Sequence, residues 1–513
     1  MVPYGQIVLI WPEHPCKARA MSIPVDVFSL NPDQGGTLQA QIRRMVAEAI
    51  LAGHLRPGER MPSSRGLAAH LGVSRITVTL AYAELVADDY LSARGRSGYF
   101  VSDSAPQPRD HPAPQAAPPT AGVDWARALG GRAPGARRGI GVDKPLNWRD
   151  YRYPFIYGQA DPGLFDHANW RACTMMALGQ RHFHAMTDDC FERDDEGLVE
   201  YIARHTLPRR GILARPEEIL VTLGAQNALW LAAQLLLNQR RTAAIEVPGY
   251  PGLHDILAQT RCRVQPVSVG AEGLAPEALP EGVDVLFCTP SHHCPTGATM
   301  PMPARRALLA LAEARDFLIV EDDYEFQIPG EGAALPALKS LDGGGRVIHV
   351  GSFSKSLFPG LRLGYMVGAA PLIREARALR ATVLRHPPGL TQRAAAYFLQ
   401  LGHYDSLLRR MGRVFAERRR AMLAAVQAHA MCIAGAPGAG GSSLWMRAPD
   451  GVDSARLAEG LRAEGVLIEP GAAFFGGEAG PCPHFRIAYS SIPTERIGEG
   501  MRRGAAGLRR GVG

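Results

Sequence analysis

The stretch VIHVGSFSKSLFPGLRLGYMVG, residues 347–368, decides how the larger part of this chain reads. VIHV has the continuous apolar character of a buried strand. Ser352, Ser354 and Lys355 follow it directly. Pro359-Gly360 then turns the chain, Arg362 stands seven residues after the lysine, and a second apolar run begins. In open α/β sheets, ligands collect at the carboxyl ends of such strands. The lysine carries extra weight because lysine is scarce. Of 56 Lys and Arg only four are lysines: Lys17, Lys144, Lys339 and Lys355. Lys17 and Lys144 fall in an N-terminal extension and a Pro-rich linker, and Lys339, in PALKSLD, reads as a solvated loop residue.

Four other clusters lie around this stretch. EEILVTLGAQNALWLAAQLLL (217–237) reads as strand, Gly turn and helix start, so that Gly224, Ala225 and Gln226 aim backbone N–H groups at an anion such as phosphate. EVPGYPG (246–252) offers Tyr250 as a ring to stack. FCTPSHHCPTGATM (287–300) is a strand end and a Pro-Thr-Gly loop containing His292, His293 and Cys294. Three adjacent residues do not easily converge on one ion, so no metal is expected there. FLIVEDDYEFQI (317–328) is a buried strand that ends in Asp322 and Tyr324.

These groups are the ones pyridoxal phosphate chemistry needs. A lysine amine, here Lys355, forms a Schiff base with the cofactor aldehyde. A carboxylate, Asp322, keeps the pyridine nitrogen protonated so that the ring acts as an electron sink. A phenol, Tyr324, tunes the imine from beside the ring hydroxyl. Ser352, Ser354, Arg362 and the Gly224–Gln226 turn suit the phosphate. Arg486, in HFRIAYSS, is placed to grip a substrate or effector carboxylate through both arms of its guanidinium.

The amino-terminal part has another character. TLQAQIRRMVAEAILAGHL places Ile42, Val46, Ile50 and Leu51 on one helical face. In RPGERMPSSRGLAAHLGVSRITVTLAYAELVADDYL, Ser63 or Ser64 caps a second helix, Gly72 ends it and Ser74 caps a third. That spacing fits a helix-turn-helix. YLSARGRSGYFVSD then gives two short strands around a basic tip, a wing. The expected DNA contacts are Ser63, Arg65, Ser74, Arg75 and Thr77 near helix starts, and Arg94, Arg96 and Gly98 in the wing. Helix starts and arginines suit phosphates, and Arg75 can reach a guanine edge.

Composition sets the outer limits. The 513 residues are 46% hydrophobic and 20% charged, which excludes a disordered, collagen-like or coiled-coil chain and calls for two or three domains. The net charge of +7 permits a nucleic-acid partner without requiring one. The eight cysteines form no C-x-x-C pair, so free thiols in a reducing cytoplasm are expected rather than disulfides or zinc. No apolar run reaches the roughly 20 residues that span a bilayer. The start lacks a basic region ahead of its short apolar stretch and makes a poor signal peptide. Met21 leads more naturally into the first helix, so the first 20 residues read as an extension upstream of the start. Seven prolines between Pro106 and Pro134 mark a linker. The expected organisation is an extension at 1–35, partly disordered, a winged helix at 36–103, a linker at 104–148 and a cofactor domain at 149–513.

PGERMPSSRGLAAHLGVSRITVTLAYAELVADDYL, with RSGYFV, resembles the winged-helix domain of GntR-type bacterial transcription regulators. SFSKSLFPGLRLGY, with EDDY placed 33 residues before the lysine, resembles fold-type-I aminotransferases from about Tyr151 onward. The combination resembles MocR-type regulators. The implied fold is an α+β winged helix joined to an α/β aminotransferase-like domain with a small C-terminal α/β subdomain. The resemblance also implies pyridoxal phosphate on Lys355, an operator DNA partner, an effector that is an amino compound or the cofactor itself, and a head-to-tail homodimer. His292 matches the MocR-type pattern as a cofactor neighbour. Cys294 departs from it, standing where aminotransferases have Asn. The alternative reading is a working aminotransferase that carries a DNA-binding module; a cofactor-free scaffold is disfavoured by the intact Lys355, Asp322 and Arg362.

Overall fold

The computed structural model describes residues 23–30, 35–106, 123–129, 144–159, 161–325, 335–436, 441–476 and 480–511. The chain divides into two compact units, Met1–Trp125 and Ala126–Gly513. The Met21 reading and most of the proline-rich stretch fall outside the described residues.

The first unit is a winged helix. Its helices are α1 (Leu38–Leu51), α2 (Ser64–Leu71) and α3 (Arg75–Ala87), and its wing is the antiparallel pair β1 (Leu91–Ala93) and β2 (Tyr99–Val101). Ser63 Oγ accepts the Gly66 N–H at 3.0 Å and Ser74 Oγ accepts the Thr77 N–H at 3.1 Å. Each satisfies a donor that a helix start leaves without a partner. Between them Gly72 adopts φ 65, the left-handed conformation that ends α2 with little strain. Ile42, Val46, Ile50, Leu67, Val78, Tyr82 and Leu85 form the core. Ile23 and Phe28, ahead of residue 36, and Ala105, after 103, are buried in the same core.

The second unit is built on an eight-stranded sheet. In chain order the strands are β3 (Ile219–Thr222), β4 (Thr242–Val247), β5 (Arg263–Gly270), β6 (Gly273–Leu274), β7 (Val285–Cys288), β8 (Leu318–Asp323), β9 (Val347–Ser352) and β10 (Gly364–Val367). Their spatial order is β3-β10-β9-β8-β7-β4-β5-β6. β9, β8, β7, β4 and β5 run parallel, while β10 is antiparallel to both neighbours. The register sets Asp322 beside Val350, so the ends of β8 and β9 open together. A smaller four-stranded sheet is formed by Cys432–Ile433, Ser443–Arg447, His484–Ala488 and Glu469–Pro470. It brings Glu469 opposite Arg486.

Two lysines differ from the sequence reading. Lys339 lies in a short helix and pairs with Asp342 at 3.1 Å, one helical turn away. Lys144 packs against the second unit, with its ammonium 3.0 Å from Glu469 and 2.5 Å from the Tyr157 carbonyl. Neither partner is near in sequence to Lys144, so composition alone hid the contact.

Candidate functional site: a cofactor pocket and a DNA-facing helix

β9 delivers Ser352, buried, whose Oγ accepts the Ser354 N–H at 3.2 Å. Lys355 follows in the turn, and its ammonium lies 4.3 Å from the centre of the Tyr157 ring. Burial and then the positive charge of Lys144 lower its pKa to about 8. Both favour the neutral, nucleophilic amine. Gly158, at φ 74, lies against the lysine, and a Cβ there would overlap the amine.

Asp322 ends β8. Burial, with Asp323 and Glu246 nearby, raises its pKa to about 7. Among the described residues, Asp322 Oδ1 and Ser354 Oγ are buried polar atoms with no hydrogen-bond partner. A buried carboxylate oxygen without a donor is costly, and a pyridinium N–H is the type of group that would satisfy it.

The anion cradle is also assembled. Gly224, at φ 82, precedes the helix Ala225–Leu236, called α4 here, and leaves the first N–H groups of Ala225 and Gln226 facing outward. Arg362, itself at φ 51, donates from Nη2 to the Leu223 carbonyl at 3.0 Å, and a Cβ on Gly224 would sit 3.3 Å from that nitrogen. Tyr250 caps the helix Pro251–Thr260, and its hydroxyl lies 3.5 Å from Gln226 Oε1. Burial and the charge of Asp322 push its phenol up to about 12, so it stays protonated beside the pocket. The residues present therefore fit pyridoxal phosphate: an amine, an unsatisfied carboxylate, a ring to stack, and a helix start with an arginine beside it for the phosphate.

Around this centre stand residues of mixed standing. The Tyr324 phenol is raised well above its ordinary value by burial, then by Cys294 and Glu325. His292 faces Glu325 at 3.3 Å and the Tyr324 ring, with ring centres 6.3 Å apart. His293 is buried against Thr296 and Glu246 and is a packing residue, held neutral by a pKa lowered to about 3 by burial. Cys294 is buried, with its sulfur 3.8 Å from Arg486 Nη1. Arg486 is buried and donates from Nε to Glu469 Oε2 at 2.6 Å. Its guanidinium lies 4.1 Å from the Tyr157 ring centre and 4.7 Å from that of Phe474.

Tyr157, Glu469 and Lys144 were not picked out by sequence reasoning. Tyr157 lies between the lysine and the arginine. Only Glu469 left a signal: a lone charge in the otherwise apolar run VLIEP.

In the first unit, Arg65 and Arg75 are exposed, and Arg75 Nε lies 3.4 Å from Ser64 Oγ across the turn. Ser63, Ser74 and Thr77 serve the caps, with Ser74 and Thr77 hydroxyls 2.8 Å apart. Arg94 stacks on Phe100 at 4.7 Å and pairs with Asp103 at 3.4 Å. Gly98, at φ 98, turns the wing tip. The Arg96 side chain is outside the described set. Ile76, 71% exposed beside Arg75, is a surface feature that the sequence reading passed over.

A winged helix with a capped, outward-facing third helix, carried by a chain whose remainder is an aminotransferase fold, defines a class: DNA-binding regulators with an aminotransferase-like domain. Residues 38–101 match the gntR family of bacterial regulatory proteins and residues 195–503 match aminotransferase class I and II. The HTH-type transcriptional regulator TauR of Rhodobacter capsulatus is 58% identical over 490 residues, which cover 95% of this chain and 100% of that one. The probable rhizopine catabolism regulatory protein MocR of Rhizobium meliloti is 31% identical, over 78% of this chain and 79% of that one. Among solved structures, the α-aminoadipate aminotransferase LysN of Thermus thermophilus aligns with a TM-score of 0.66 at 28% identity, over 76% of this chain and 99% of that one. The kynurenine aminotransferase of Pyrococcus horikoshii aligns at 0.67 and 26%, over 75% and 96%. The chain belongs to the GntR-family transcription regulators of MocR-type architecture. Its larger domain has the class I and II aminotransferase fold, with the pyridoxal phosphate dependence that fold implies. No helix among the described residues is long and apolar enough to cross a membrane.

Proposed function

We propose that this regulator works in the cytoplasm, binds an operator through α3 and the wing, and holds pyridoxal phosphate on Lys355 as the sensing group. The partnerless Asp322 oxygen, beside a lysine whose amine is driven toward neutrality, is the observation that carries this reading. When bound, the cofactor would supply a reactive carbonyl and an electron-withdrawing ring. The chain's own residues do the rest. Asp322 would accept the ring N–H, and Tyr324 would donate toward the ring oxygen. Tyr250 would stack on the ring, and Gly158 leaves room for the Lys355 amine. Gly224, Ala225, Gln226, Ser352, Ser354 and Arg362 would hold the phosphate, with His292 a further cofactor neighbour. Arg486 takes the carboxylate of an amino compound. The effector is such a compound or the cofactor itself; a relative, at 30% identity, is a pyridoxine biosynthesis regulator of Corynebacterium glutamicum. A homodimer, head-to-tail, would present two winged helices to two half-sites.

The test is direct. Purified chain should show the cofactor's visible absorption, and borohydride reduction followed by peptide mapping should place the cofactor on Lys355. A footprint taken with and without the cofactor, and then with a panel of amino compounds, should reveal the operator and the effector. Covalent label retained in Lys355→Ala would overturn the assignment. Steady turnover of amino and keto acid pairs at roughly 1–1000 per second would favour the working aminotransferase instead.

A further inference from the structure

Arg486 does not stand alone. Glu469, fully buried, divides its two oxygens: Oε2 accepts from Arg486 Nε at 2.6 Å, while Oε1 meets the Lys144 ammonium at 3.0 Å and the Tyr157 N–H at 3.1 Å. Lys144 also donates to the Tyr157 carbonyl at 2.5 Å. Both main-chain groups of Tyr157 are thus fixed by this pair, and its ring lies between Lys355 and Arg486. The guanidinium's Nε edge is taken by Glu469. Among the described residues the Nη edge has a hydrogen-bond contact with the weakly accepting Cys294 sulfur alone, at 3.8 Å, and is left for a ligand.

Over these three groups the charge is two positive and one negative. Arg486 and Glu469 are buried and Lys144 is half-buried at their edge; with one excess positive charge the three admit one anion at close to neutrality, whereas Arg486 and Glu469 alone would already be neutral. An anion entering that neutral pair would bury an uncompensated charge, which is strongly unfavourable. We propose that Lys144 and Glu469 set the anion affinity of Arg486. An incoming carboxylate takes the Nη edge of Arg486, Glu469 transfers part of its pairing to Lys144, and the chain at Lys144 is thereby fastened more tightly to the pocket. Lys144 and Glu469 are positioning residues in this scheme. Coupling of this kind is reciprocal, so fastening of Lys144 also favours anion binding. The proposal rests on the reading of Arg486 as the carboxylate site.

The experiment uses the full chain loaded with pyridoxal phosphate, titrated with acetate, propionate and succinate, and followed by perturbation of the cofactor band. Lys144→Met should bind these anions about tenfold more weakly or worse, in keeping with loss of one partner from a buried charge set. Glu469→Gln, which leaves the cluster with two positive charges, should bind more tightly than wild type. The double variant, with one positive charge, should return close to wild-type affinity. Hydrogen exchange at Trp148–Asp150 should slow when anion is added to wild type and stay unchanged in Lys144→Met. If no carboxylate binds the wild type, the reading of Arg486 fails and this inference fails with it. If wild type binds and Lys144→Met binds equally, or if the double variant shows no recovery, only the role of Lys144 and Glu469 is overturned. Should Lys144→Met fold poorly, the Glu469→Gln titration decides alone, because weaker or unchanged binding there contradicts the charge count.

Discussion

The DNA-facing helix and the cofactor pocket are built by opposite means. The residues α3 presents, and the caps that hold them, are within about a dozen positions of one another: Ser63 caps α2, Gly72 ends it, Ser74 caps α3, and Arg75 reaches back to Ser64. The pocket draws Lys144, Tyr157, Gly224, Asp322, Lys355, Glu469 and Arg486 from six or more separate segments. Chemistry differs as sharply. The helix presents one exposed arginine, Arg75, in high dielectric, where single charges are cheap and modest in effect. The pocket works with buried charges, where each partner changes the protonation of the next. Damage to the helix should therefore be local and small. Damage to the pocket should be large and shared.

That contrast can be broken, beginning with the largest expected effect. Lys355→Ala should abolish covalent attachment of the cofactor, read by absorbance and by mass after reduction, while the chain stays folded. Asp322→Asn should weaken cofactor retention on the order of a hundredfold, read by dialysis and absorbance, since a buried charged partner is lost. Reconstitution of the apoprotein should slow as pH falls. Lys355 must be neutral to attack, and its pKa of about 8 means the neutral fraction drops roughly tenfold per unit below that value. Asp322 should be ionised to meet a ring N–H, and its pKa of about 7, raised mainly by burial, works in the same direction. A reconstitution rate that is flat from pH 8.5 to 6 would contradict both assignments. In Lys144→Met the upper midpoint should move upward, because a like charge has been removed from beside Lys355.

On the other side, Arg75→Ala should weaken operator binding by about 1–3 kcal/mol and leave the cofactor spectrum untouched. An unaltered footprint would remove Arg75 from the contact surface. Ser74→Ala should cost about 1 kcal/mol of stability through loss of its cap, seen as earlier exchange of α3 amides. A change in the cofactor spectrum with either variant would mean that the two regions are not independent.

Legibility followed the same division. The winged helix could be read almost residue by residue, because caps, the Gly72 turn and the apolar spacing are local rules. The placement of the central residues could be read too: Ser352, Ser354, Lys355 and Arg362 lie at or after the end of one strand, and Asp322 and Tyr324 at or after the end of its neighbour. The periphery could not. Lys144 read as linker and Lys339 as solvated, yet each has a carboxylate partner. His292 lies 3.3 Å from Glu325, a pairing that no spacing rule gives.

The sequence alone determined that one domain is a GntR-type winged helix and the other an aminotransferase fold, and that Asp322 and Lys355 stand at the ends of neighbouring strands. These follow from strand ends, helix starts and residue types, which act over short range. Only the tertiary structure decided how the charge at Arg486 is balanced. Glu469 is 17 residues from Arg486 and more than 300 from Lys144, and no spacing rule joins them. Burial joins them, because a carboxylate removed from water must find its cations wherever the fold has placed them.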